Sequence, residues 1–85
     1  MDSRVKELIA IGASVAANCQ PCLEYHYRKA REFGASEQEI LEAVAVGKTV
    51  RKGAAGKMDE YASTLSTDAT APSDAAEDAG GCELA

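Results

Sequence analysis

Tryptophan is absent from these 85 residues, phenylalanine and histidine occur once each, and there are only two prolines and three cysteines. Each scarcity excludes something. Three cysteines always leave one unpaired, which argues against the disulfide framework that staples small secreted domains. Cys19, Cys22 and His26 offer three metal ligands with Glu7 as a conceivable fourth. There is no second Cys-x-x-Cys and no other histidine to complete an ordinary four-ligand zinc site. Leu23 stands where c-type haem attachment requires a histidine, and the cysteines are too few for an iron–sulfur cluster within one chain. No metal and no cofactor is therefore expected.

Long apolar runs are also lacking: none approaches the roughly twenty residues of a membrane span. No secretory cleavage signal follows the apolar residues 8–17, so the expected compartment is the cytoplasm, where a close cysteine pair more often serves redox or metal chemistry than structure. Excess positive charge is missing as well. The net charge is -5, and it is uneven: residues 1–67 carry nine basic and nine acidic side chains, residues 68–85 five acidic and no basic ones. No patch is basic enough to hold nucleic-acid phosphates or an anionic membrane.

What is present favours helix: Ala, Glu, Leu and Lys dominate the first two thirds. Val5, Leu8, Ile9, Gly12, Val15 and Ala16 recur at three- and four-residue spacing and predict an amphipathic helix over residues 3–17, with Ser3 as N-cap. Its small residues would let another helix approach closely, and Asn18 is a natural stop. A second helix begins within residues 18–21, where Pro21 suits a first turn, and turns Cys22, Leu23, Tyr25, His26, Ala30 and Phe33 inward before Gly34 closes it. Ser36 and Glu39 form a capping box for a third helix that continues through Ile40, Leu41, Val44, Ala45 and Lys48 toward Val50. Residues 51–57 read either as a kinked continuation or as a break before a short helix over residues 58–65. The division expected is a helical domain over residues 1–65 and an acidic, Ala-rich flexible tail over residues 66–85. A chain this short buries a modest core, so self-association is expected to complete it.

The chemistry concentrates on four residues. Cys19 and Cys22 open a helix, where backbone N–H groups favour a thiolate and the spacing allows a disulfide. His26 lies one turn beyond Cys22 on the same face, close enough to exchange a proton with a thiol. Glu7 can reach His26 if the first two helices pack antiparallel, and would then fix its tautomer. Tyr25 and Tyr27 read as packing or rim residues. Cys82 reads as exposed and incidental, or as a tethered thiol that resolves disulfides between chains.

Glu7, eleven residues, Cys19, two residues, Cys22, three residues, His26: this pattern resembles the active-site signature of the alkylhydroperoxidase D-like branch of the carboxymuconolactone decarboxylase superfamily. The surrounding text agrees, from the small residues of 9–17 through Phe33-Gly34-Ala35-Ser36 to residues 39–44, so the resemblance covers about residues 3–65. It implies an all-α fold, a small antiparallel helical bundle completed by oligomerisation as a dimer, trimer or hexamer. It also implies a peroxidatic Cys22, a resolving Cys19, a proton relay through His26 and Glu7, hydroperoxide substrates and a thioredoxin-like or lipoylated reductant. Pro21 departs from the pattern, standing where some members carry a second histidine. Members that decarboxylate lactones generally lack the cysteine pair, which makes that chemistry the weaker alternative. The other alternative is a non-enzymatic helical oligomer that binds a metal or assembles according to its thiol state.

Overall fold

The computed structural model describes residues 1–65 as three α-helices, with no strand among them: α1 (Ser3–Ala16), α2 (Gln20–Glu32) and α3 (Glu37–Leu65). The expected tail and Cys82 lie outside the described residues. The chain divides into two compact units, Met1–Ala55 and Gly56–Ala85. In the second, the described residues are the last ten of α3, exposed throughout and including Met58, Tyr61 and Leu65.

Within the first unit the helices run up, down, up. The α1–α2 connection is short and Glu7 meets His26 across it, so these helices are antiparallel. Partners across α1 and α3 keep a nearly constant sequence offset: Arg4 with Glu39, Gly12 with Gly47, Val15 with Arg51. A constant offset means two helices running in the same direction. They approach closely at the glycines, where a Cβ on Gly47 would lie 2.5 Å from the Gly12 carbonyl oxygen and 2.8 Å from the Val15 Cβ. The close approach expected of the small residues in α1 is thus realised against α3.

The helix ends explain how so short a chain turns twice. Asn18 adopts φ 58°, and the amides of Asn18 and Cys19 donate to the carbonyls of Val15 (3.1 Å) and Ser14 (3.0 Å), a Schellman closure. Gly34 (φ 92°) repeats it for α2: Gly34 N–H bonds Arg31 O, and Ala35 N–H bonds Ala30 O. Ala30 and Ala35, both buried, supply the hydrophobic contact that accompanies the motif. The capping box forms as expected, Ser36 Oγ accepting from Glu39 N–H at 3.1 Å and Glu39 Oε1 from Ser36 N–H at 3.0 Å. The Ser36 backbone bond holds the Glu39 carboxyl below its ordinary value; partial burial works against this, and the Arg4 guanidinium at 2.6 Å adds to the lowering.

Several expectations need correction. Residue 2, not Ser3, occupies the N-cap of α1, and Asp2 makes no side-chain cap bond there. The core is built on Ile11, Ala30, Ala35 and Ile40, with Leu8, Leu23, Ala43 and Val44 against them. The face of α1 that reaches this core therefore runs through Leu8, Ile11 and Val15, turned from the Val5–Ile9–Gly12–Ala16 stripe. That stripe lines an open apolar groove with Val46, Gly47 and Val50 of α3, leaving Ile9 56%, Val46 61% and Val50 56% exposed. On α2, Cys22, Tyr25 and Phe33 are exposed rather than inward. Lys29 lies 6.0 Å from the Tyr25 ring centroid and 5.8 Å from that of Phe33, so its cation organises these rings at the surface. Leu41, Ala45 and Lys48 are likewise exposed, and α3 runs through Gly53 and Gly56 without a break.

Candidate functional site: a dithiol turn beside a Glu–His pair

Cys19 does three things at once. Its amide completes the Schellman closure of α1, and it is the N-cap of α2, its Sγ accepting from Cys22 N–H at 3.3 Å. It is also disulfide-bonded to Cys22, with the two Cα atoms 5.3 Å apart. A sulfur acceptor thus takes the position usually held by Ser, Thr, Asp or Asn. Pro21 sits within the first turn, where no intrahelical bond needs its missing N–H.

One turn further, His26 Nδ1 faces Glu7 Oε1 at 2.6 Å. The Glu7 side chain is 14% exposed and that of His26 29%, so the pair is sheltered but not sealed. An ionised carboxylate only accepts, so in the neutral imidazole Nδ1 carries the proton and Nε2 the lone pair. The Tyr25 ring stands edge-on to the imidazole, centroids 5.0 Å apart and planes at 82°. The structure therefore brings together two of the four expected pairings, Cys19 with Cys22 and Glu7 with His26. It makes no hydrogen bond between His26 and either sulfur among the described residues. Nor do the described residues place three or more His, Cys, Asp or Glu side chains where they could hold a metal ion.

One contributor escaped the sequence reading. Arg51 reaches from α3 to the turn, its Nη1 donating to Asn18 Oδ1 at 3.0 Å and Val15 O at 3.3 Å. It holds the residue preceding Cys19. The only sequence signal was a helical one: Val44, Lys48 and Arg51 are spaced i, i+4, i+7 and share a face, provided the helix continues past Val50. These three residues, with Val15, Leu23 and Cys19, line a cavity of about 260 Å³ beside the disulfide.

Among the described residues no helix is long and apolar enough to cross a membrane. No solved structure matches the chain. A protein of Paracoccus denitrificans named "Uncharacterized protein 4 in cox locus" is 40% identical over 55 residues, covering 65% of this chain and 50% of that protein. The chain thus spans about half the length of that relative. The profile of the carboxymuconolactone decarboxylase family matches residues 1–57, the stretch holding Glu7, both cysteines of the turn, His26 and Arg51. With helices, turn and site all inside the matched stretch, the chain belongs to the carboxymuconolactone decarboxylase family.

Proposed function

We propose that the chain is a thiol-dependent peroxidase of the alkylhydroperoxidase D-like kind, reducing hydroperoxides through Cys22 and Cys19. The observation that carries this reading is the Glu7–His26 contact of 2.6 Å placed one turn beyond a cysteine pair that already closes a disulfide. In the reduced protein the Cys22 thiolate attacks the peroxide O–O bond, giving a sulfenic acid while the alkoxide leaves with a proton as alcohol. The Cys19 thiol then attacks the sulfenic sulfur, forming the disulfide and releasing water. Cys22 suits the first role because it is exposed, whereas Cys19 is half-buried behind the turn. With Nδ1 committed to Glu7, Nε2 of His26 is the atom left to take and return protons, either directly or through a water.

An external dithiol, thioredoxin-like or lipoylated, must return two electrons to close the cycle, and the cytoplasm is the compartment that keeps such donors reduced. The exposed apolar face of Ile9, Val46 and Val50 supports association with a second copy.

Stopped-flow oxidation of the reduced protein by hydrogen peroxide and by an organic hydroperoxide tests the reading. Fast, saturable oxidation that ends in the Cys19–Cys22 disulfide and is lost in Cys22→Ser is expected. A rate no better than that of a free thiol would remove the peroxidase activity. A sulfenic acid trapped on residue 19 instead would reverse the roles.

A further inference from the structure

The cavity beside Cys19 has an uneven chemistry. Val15, Leu23 and Val44 give it apolar walls, Lys48 and Arg51 give it two cations, and no carboxylate lines it. The two cations are in different states. Arg51 is engaged, bonded to Asn18 and Val15. Lys48, exposed on the same face of α3, has no hydrogen-bond or ion-pair partner among the described residues. An unpaired ammonium above an apolar surface, next to a reactive sulfur, matches a ligand with an apolar body and one negative charge.

Resting on the dithiol reading above, we propose that this cavity is the substrate subsite and that Lys48 selects organic substrates bearing a carboxylate, whose apolar part lies on Val15, Leu23 and Val44. Arg51 acts differently, as a positioning residue for the turn. Lys52, also exposed on α3 but not lining the cavity, carries the same charge and serves as the control.

The test uses the full chain, reduced, against two aromatic disulfides: dithiobis(nitrobenzoate), with a carboxylate on each ring, and neutral dithiodipyridine. In each reaction a protein thiolate attacks a probe sulfur and expels one arylthiolate. The second protein thiolate then closes the protein disulfide and expels the other, the two thiol protons passing to buffer. The readout is the ratio of the two rates, in which any change in thiolate population cancels. Removing one unit charge close to the probe carboxylate corresponds to about a five-fold loss in that ratio. We expect this loss in Lys48→Gln, recovery in Lys48→Arg and the wild-type ratio in Lys52→Gln. An unchanged ratio in Lys48→Gln, or an equal loss in Lys52→Gln, would overturn the proposal.

A second measurement does not depend on thiol reactivity. In the oxidised protein, benzoate is expected to shift the methyl resonances of Val15, Leu23 and Val44 more than benzamide does, and equal or absent shifts would overturn the subsite. A protein that binds benzoate in this way but is inert toward peroxide would keep the cavity and lose the peroxidase.

Discussion

Replacing Gly47 with alanine should loosen the contact that holds α3 against α1, although alanine is the better helix former. At an open helical site the exchange gains about 1 kcal/mol. At Gly47 the new Cβ would lie 2.5 Å from the Gly12 carbonyl oxygen, a backbone atom, and 2.8 Å from the Val15 Cβ. Neither is the end of a flexible side chain, so the helices themselves must separate. Overpacking of this kind costs about 1–3 kcal/mol, outweighing the propensity gain in all but its mildest form. Gly53 supplies the matched control, since nothing lies within 4 Å of a Cβ built there. The two variants should differ by roughly 2–3 kcal/mol, which for a domain this size is about 10 °C or more in melting midpoint. Thermal melts followed by helical circular dichroism, at one protein concentration because association would shift the midpoint, make the comparison. Gly47→Ala melting at or above wild type would refute the close-approach argument.

Two further outcomes are expected. Under reducing conditions Cys19→Ser should be more stable than Cys19→Ala by about 1 kcal/mol in urea melts, because serine keeps an acceptor for the Cys22 amide; equal stability would mean that the sulfur is not acting as a cap. Glu39 is held below the ordinary glutamate value first by the Ser36 amide, so its contribution is fully present above the unfolded-state pKa and is lost as pH falls through the lower folded-state one. Acid melts should accordingly show wild type losing its stability advantage over Glu39→Gln within that window, and a pH-independent difference between the two would contradict the capping role.

What could be read from the sequence was what is local. Asn18, Gly34 and the Ser36–Glu39 pair mark helix ends through their own backbone and side-chain chemistry, and all three appear where expected. The pairing of Glu7 with His26 needed one tertiary assumption, an antiparallel α1–α2 hairpin, and the tight turn at Asn18 supplies it. Misreadings arose where a neighbour decided the outcome. Apolar and small residues surround much of α1, so periodicity alone did not choose between the face that meets the core at Ile11 and the stripe that opens onto the groove. Tyr25 and Phe33 look inward by spacing, yet Lys29 between them keeps both rings at the surface. Gly53 and Gly56 look like a break, but two glycines do not end a helix whose other residues favour it, and α3 continues to Leu65. Arg51 could be placed only once that continuity was known.

The double use of Cys19, closing one helix and opening the next, has a consequence for the pace of the redox cycle. The backbone on both sides of the dithiol is fixed by the Ser14 and Val15 carbonyls, by Arg51 and by the first turn of α2, which sets the 5.3 Å between the two Cα atoms. Opening and closing the disulfide can then proceed by rotation of two short side chains, motions of picoseconds to nanoseconds, with no displacement of helices on the microsecond to millisecond scale. Sulfur chemistry and the arrival of reactants, not a change of shape, would set the turnover rate of such a centre.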